Sequence, residues 1–481
     1  MKTFSPELLQ DVLNGILQSL GWQEMSAVSK ASGAKISLVV AFSGGVDSVV
    51  LLHALSSLLS TESTDPFSRK NTSPDFDLSA IHVNHQLQPQ ADEWQSFCIA
   101  FCEKLNIPIK CVVINASPVH DEGPEAAARN ARYAAFKRCL GDNDILLTGH
   151  HLDDQIETVF LHMLRGTGVS GAAGIRPVSD FQSSCNSTYL ARPMLRFSRE
   201  QIEAYANAQN LLWVEDPSNH ESHYDRNFLR HNVLPVIATR WPSYRQTINR
   251  FSQNMVEARA LFHEIAVQDF KHAFDAREST LDIDVLRELS LPRLNNVLRY
   301  WLNKDGYSMP GEKQLSQIRA AITAKPDASP LVRWANAEVR RFKNKLYSMP
   351  QLPLGIDKNT VIKIANWQPG QEVVVPGYGV LTLEAANGDG LKLSSFSSQQ
   401  IEIRFRQGGE RCKPAGRNKP QALKKVFQEK HIPPWRRDNS PLLFIDNEIA
   451  AVVGLFYCSP FACDDEDGVV IVRVQHKHYS M

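Results

Sequence analysis

Apolar positions along the first 235 residues fall either in short continuous runs or in longer stretches of helical spacing. The runs predict strands over residues 36–41, 78–83, 109–114 and 145–148. The spaced stretches predict helices over 46–59, 91–105, 124–140, 153–164 and 194–208. Strand–helix alternation with consecutively apolar strands describes a parallel sheet covered by helices on both faces. Residues 60–77 interrupt the pattern and read as a polar surface loop, while 213–232 is polar and irregular before the prolines at 235 and 242.

Beyond that point the spacing is helical, over 247–275 and 285–303, with the apolar run 281–283 between them. After the prolines at 350 and 353 the period shortens again. Residues 361–364, 372–375, 379–383, 391–393, 401–405, 442–445 and 450–456 predict strands, and 419–428 a helix. The expected fold class is therefore α/β. A parallel-sheet domain (1–235) precedes a helical recognition or spacing domain (236–350) and a small mixed α+β, β-rich C-terminal domain (351–481).

Charge changes this picture only locally. Lys plus Arg equals Asp plus Glu at 52 each, yet residues 401–437 hold eleven Lys/Arg against three Glu. With the glycines at 408 and 409 and Trp435, that stretch suits a phosphate backbone with an unstacked base nearby; an ordinary solvated charge run is the plainer alternative. The eight cysteines, at 98, 102, 111, 139, 185, 412, 458 and 463, form no CxxC and read as buried free thiols. With no 18-residue apolar span and no secretory pattern, a soluble cytoplasmic protein without a membrane partner is expected.

Chemistry concentrates where the first strand ends, in Ser43, Gly44, Gly45, Val46, Asp47 and Ser48. Two glycines between a buried strand and a helix start allow close approach of backbone amides to phosphate, and Asp47 suits Mg2+ on a nucleotide. The loop has no lysine, so it is not a Walker A loop, and the glycine pair is not a dinucleotide fingerprint. In an open parallel sheet, ligands gather at the C-terminal ends of strands. The fourth strand leads there into His150, His151, Asp153, Asp154 and Glu157, with Asp153 placed to cap the helix and Asp154 and Glu157 three apart on one face. For the histidines, capping or core hydrogen bonding is the alternative; metal ligation is disfavoured because HxxxH is missing. Arg129 and Arg132, three apart, can both turn toward a triphosphate or an RNA backbone, or simply face solvent. Asp225 to Arg230 is another charged turn, for which a domain-interface salt bridge is the alternative.

The Ser43–Ser48 segment matches the SGGxDS motif of the PP-loop (N-type ATP pyrophosphatase) superfamily. The segments 81–85, 125–132, 149–158, 165–168, 192–195, 215–216 and 225–227 follow in the pattern and order of one member. Together with 408–435 they make the chain resemble the bacterial tRNA(Ile)-lysidine synthetase family over nearly its whole length, least specifically across 250–400. The resemblance implies ATP-dependent adenylation of C2 of the wobble cytidine in CAU-anticodon tRNA(Ile), then attack by free L-lysine, with AMP and pyrophosphate released. It implies that Ser43, Gly44, Gly45 and Ser48 cradle pyrophosphate, that Asp47 acts through Mg2+, and that Arg129 and Arg132 lie near the reacting base or phosphates. His150, Asp154 and Glu157 would face the cytidine and the lysine, and Arg226 with Asn227 would complete the pocket. Asn84 stands where relatives often carry histidine, so no catalytic role falls on it. Homodimer formation stays open at this point. Two competitors also stay open: a tRNA 2-thiolation enzyme, which needs a reactive cysteine, and an RNA-binding protein with a vestigial nucleotide loop.

Overall fold

Within the strand Ile36–Ala41, Leu38 and Val40 are buried toward one layer of helices and Val39 toward the other. That two-sided burial is what a continuous apolar run predicts for a central strand. The computed structural model describes residues 3–21, 36–60, 76–86, 90–114, 124–141, 144–182, 187–217, 224–325, 328–351, 357–385, 390–397, 400–463 and 469–475. Most of the expected loop at 60–77, together with Gly123 and Cys185, lies outside them. The chain divides into two compact units, Met1–Phe262 and His263–Met481.

In the first unit, helix α1 (Pro6–Ser19) precedes strand β1 (Ile36–Ala41). Then come α2 (Val46–Ser60), β2 (Phe76–Asn84), α3 (Ala91–Lys104), β3 (Ile109–Val113), α4 (Pro124–Cys139), β4 (Asp144–Leu147), α5 (Leu152–Leu164), β5 (Val178–Gln182), β6 (Ser187–Ala191) and α6 (Arg199–Ala208). The sheet order is β3-β2-β1-β4-β6-β5. Every pairing is parallel except β5–β6 at the edge. The four expected strands are present; the β5–β6 hairpin was not anticipated, because its Ser, Asp, Thr and Gln residues break up any apolar run.

One layer packs α1, α2, α3 and α6 on the sheet through residues such as Leu9, Leu52, Cys102 and Ile202. In α1, Ser5 caps the first turn and Leu9, Leu13, Ile16 and Leu17 form the buried stripe. The opposite layer sets Phe136 and Leu140, in and just after α4, against Ile81, Leu146 and Leu190. After α6 the chain turns at Asp225–Phe228, passes a π-helical segment Leu229–Val233 and the helix Leu234–Arg240, and enters the long helix Tyr244–Ala273. Leu229, Leu234 and Tyr244 pack on Leu152 and Ile156 of α5, which brings the 225–245 segment onto the chemical end of the sheet.

In the second unit the helix expected over 285–303 appears as two, Ile283–Glu288 and Leu291–Lys304, and a further helix, Glu312–Thr323, follows. They pack on an antiparallel sheet not expected there, whose order runs Phe274–Asp275, Thr280–Asp282, Lys345–Pro350, Ala337–Phe342 and Leu331–Trp334. Two further five-stranded sheets form the β-rich end of the chain around Trp367, Leu381, Ile403 and Leu443. Among the described residues no helix is long and apolar enough to cross a membrane.

Candidate active site

The loop between β1 and α2 is held by its own serines. Ser43 Oγ lies 3.2 Å from Ser48 Oγ, Ser48 Oγ accepts from the Ser43 amide at 3.3 Å, and it donates to the Gly45 carbonyl at 2.9 Å. Gly44 sits at φ +84°, a left-handed conformation that a side chain would strain, and a Cβ there would lie 3.1 Å from Cys98 Sγ. Val46 is buried in the core below, and the first-turn amides of α2 follow directly, the part of a helix that favours an anion.

Asp47 occupies that first turn. Its Oδ2 accepts from Arg199 Nη1 at 2.7 Å, and its Oδ1, buried and without a hydrogen-bond partner, lies 3.6 Å from His151 Nε2. Burial pushes the Asp47 carboxyl up, against the pull of His151 and Arg199. The loop after β4 can lie this close because residue 149 is glycine; a Cβ there would meet the Asp47 backbone at 3.1–3.2 Å. A lone buried carboxylate oxygen suits Mg2+, which is commonly held by one or two carboxylates together with substrate phosphates. Among the described residues no cluster of three or more His, Cys, Asp or Glu forms a cage for a metal.

His151, not Asp153, stands at the N-cap of α5, in extended backbone, and Asp154 closes the turn by accepting the His151 amide at 2.9 Å. Asp153 is spent elsewhere: it accepts from the Arg199 amide at 2.8 Å and from Arg245 Nε at 2.6 Å. His151 Nε2 also lies 3.6 Å from Asp154 Oδ2, so one imidazole bridges the glycine-loop acid and the first acid of α5.

Asp154 and Glu157 share a face, as their spacing predicts, and the residues that meet them are arginines. Arg226 reaches Asp154 Oδ1 at 2.8 Å and Glu157 Oε2 at 2.7 Å. Arg230 reaches Glu157 Oε1 at 2.7 Å and Oε2 at 3.0 Å. Glu157 is buried with both oxygens engaged. Burial pushes the Asp154 carboxyl up, but His151, Arg226 and His150 outweigh it and bring it down to about 2.

His150 has partners different from those of its neighbour. Its Nδ1 is 2.8 Å from Thr148 Oγ1, and it lines a cavity of about 420 Å³ with Arg129, Arg165, Arg176, Arg192 and Arg226. No carboxylate lines this cavity among the described residues. Burial, with Arg192, Arg226 and Arg129 adding like charge, holds the imidazole near pKa 4 despite Asp154, so it is neutral at physiological pH. Buried Arg192 fixes the far wall by donating to the Arg176 carbonyl at 2.7 Å and to Ser179 Oγ at 3.3 Å.

Arg129 and Arg132 lie near enough for each to feel the other's charge, and each has further neighbours of its own. Arg129 lines the cavity, whereas Arg132 is close enough to His82 and His85 to depress both imidazoles, for which burial is the larger cause. Asn84 is buried and donates to Asp92 and Gln95, which is a structural role. Arg176 and Arg199 were not singled out from sequence, and Arg192 and Arg230, though inside the segments 192–195 and 225–230, were given no role of their own. Arg230 had a usable signal, since it lies one helical turn from Arg226. The thiols of Cys98 and Cys102 are buried, and burial pushes both up, Cys102 to about 12, which disfavours the thiolate that a sulfur carrier needs. In the second unit, Trp435 is not open to a base: it is buried edge-on to Phe342 and Tyr347, with the Arg340 guanidinium 5.2 Å from its ring.

Comparison with known proteins agrees with this layout. Residues 22–237 match a PP-loop domain, 281–347 a TilS substrate binding domain, and 401–474 a TilS substrate C-terminal domain. The tRNA(Ile)-lysidine synthase of Coxiella burnetii is 36% identical over 438 residues, 91% of this chain and 92% of that protein. That of Legionella pneumophila strain Paris is 38% identical over 419 residues, 87% and 90% of the two chains. A crystal structure of a TilS C-terminal domain aligns with 24% of this chain and 99% of its own at 18% identity and a TM-score of 0.20. With three domain matches in one order and relatives alike across almost their full length, the chain belongs to the tRNA(Ile)-lysidine synthase family and is an ATP-dependent ligase.

Proposed function

We propose that this chain adenylates the C2 oxygen of the wobble cytidine of CAU-anticodon tRNA(Ile) with ATP, releasing pyrophosphate, and that the ε-amine of free L-lysine then attacks C2 and displaces AMP with that oxygen. The observation that carries this reading is the position of His151 Nε2, 3.6 Å from both Asp47 and Asp154. It unites the phosphate loop and the charged face of α5 in one site, with the arginine cavity beside it.

Each part has a physical task. Ser43, Gly44, Gly45 and Ser48 shape the loop in which pyrophosphate departs, and Mg2+ at Asp47 would neutralise charge on the triphosphate. Arg129 and Arg192 present guanidinium groups where the phosphates of the anticodon strand enter, and neutral His150 is a hydrogen-bond partner for a base edge. Lysine must attack as a free amine, although its ordinary pKa is about 10.4. Asp154 and Glu157 would raise that value if they were open, but both are occupied by Arg226 and Arg230. The amine would therefore meet mostly like charge in a cavity lined by five arginines, which favours loss of its proton. Arg132 is assigned to the neighbouring nucleotide side, beside His82 and His85.

We further assign three functional parts, with catalysis in 1–235, recognition of the tRNA body in 236–350, and tRNA binding through the basic face of 351–481. Lys419, Lys424 and Lys425 are exposed there. The test is stepwise. With ATP and tRNA(Ile) but no lysine, pyrophosphate should appear in one burst equal to the enzyme present, with AMP retained on the tRNA. Adding lysine should then release AMP. Release of AMP into solution without lysine would rule this order out.

A further inference from the structure

Arg199 is the first residue of α6, and three contacts aim its side chain. Its backbone amide donates to Asp153 Oδ2 at 2.8 Å, its Nε donates to Glu203 Oε1 at 2.6 Å, and its Nη1 donates to Asp47 Oδ2 at 2.7 Å. Asp153 is fixed in turn by Arg245 at 2.6 Å. The result is a guanidinium seated on the one carboxylate of the phosphate loop. Its side chain is 39% exposed, and the Glu203 contact holds it beside Asp47.

A divalent cation and a guanidinium compete for the same carboxylate, because two positive groups cannot sit on it at full strength. A triphosphate, by contrast, attracts both, and guanidinium is well matched to phosphate oxygens. Resting on the function proposed above, we propose that Arg199 is a positioning residue that neutralises Asp47 while the loop is empty. It then passes from Asp47 to the triphosphate when the metal–nucleotide enters. The exchange keeps Asp47 from repelling the incoming nucleotide, and it makes tight metal binding depend on the nucleotide being present.

This predicts opposite changes in two affinities measured on the full chain with Mn2+ as probe, by electron paramagnetic resonance and titration calorimetry, without tRNA or lysine. In Arg199→Gln, Mn2+ alone should bind roughly threefold more tightly, the size of effect expected from removing a partly exposed competing charge. Mn2+·ATP should bind about tenfold more weakly, because one charge-assisted contact to phosphate is gone. Arg199→Lys should restore most of the nucleotide affinity. In Asp47→Asn, the gain for Mn2+ alone on removing Arg199 should vanish. A residue that merely supported the fold would weaken both affinities together, and that result, or two unchanged affinities, would overturn the inference. Either failure leaves the ligase reading intact so long as the wild-type chain still forms the lysine adduct.

Discussion

Arg226 joins the two acids of α5, and replacing it with alanine exposes how that cluster is balanced. Asp154 would lose its 2.8 Å guanidinium, keeping Arg230 at 3.7 Å and His151 on its other oxygen, whereas Glu157 would retain Arg230 on both oxygens. Breaking a buried ion pair outright costs about 3–5 kcal/mol. The retained Arg230 and the 30% exposure of the Arg226 side chain bring the cost below that range, toward the exposed-pair limit, so about 2 kcal/mol is expected. The pH dependence has a definite sign. Asp154 is depressed to about 2 from an ordinary 3.8, so its contribution is complete above about pH 4 and is lost as pH falls toward 2. Arg226→Ala should therefore destabilise the first unit fully at pH 6 and progressively less below pH 4. Urea unfolding of both proteins between pH 6 and 3, followed by tryptophan fluorescence, measures that difference. A difference below about 0.5 kcal/mol at pH 6, or one that grows on acidification, would refute the ion-pair account.

Other perturbations act on separate links. Asp47→Ala should lower pyrophosphate release by about a thousandfold while leaving tRNA affinity unchanged, since only charge neutralisation at the triphosphate is lost; near-normal release would remove Asp47 from the site. Gly149→Ala places a Cβ 3.1 Å from the Asp47 backbone and should weaken Mg2+·ATP binding about tenfold with little change in tRNA binding, as read by nucleotide titration. Replacing Lys419, Lys424 and Lys425 by glutamine should flatten the plot of log affinity for tRNA against log salt by about 2; an unchanged slope would reject the basic face as an RNA contact. Because His150 is held near pKa 4, the pH profile of turnover should lack an inflection near pH 6.5 from this group. Such an inflection, abolished in His150→Asn, would mean the imidazole titrates normally.

The phosphate loop was legible because its signal is local: an apolar strand, two glycines and an acid in sequence define β1, the turn and the start of α2. The pairing of Asp154 with Glu157 was legible for the same reason, through helical spacing. Contacts made across the fold were not. Arg199 lies 152 residues from Asp47, and Arg226 lies 69 residues from Glu157, so no spacing rule connects them. The β5–β6 hairpin and the sheet built by 331–350 were missed because short strands interspersed with polar and charged residues carry weak periodicity. Trp435 illustrates the opposite error. A tryptophan amid arginines suggested base stacking, yet Phe342, Tyr347 and Arg340, contributed by that unexpected sheet, enclose it.

The most direct measurement supplies the full chain with ATP, Mg2+, radiolabelled L-lysine and a CAU-anticodon tRNA(Ile) transcript, and counts label in the tRNA. One lysine per tRNA should appear at the wobble position, matched by equal AMP and pyrophosphate, and tRNA(Met) should accept far less. Hydrolysis of ATP that leaves no lysine on the RNA would contradict the assignment of this pocket to carbon–nitrogen bond formation.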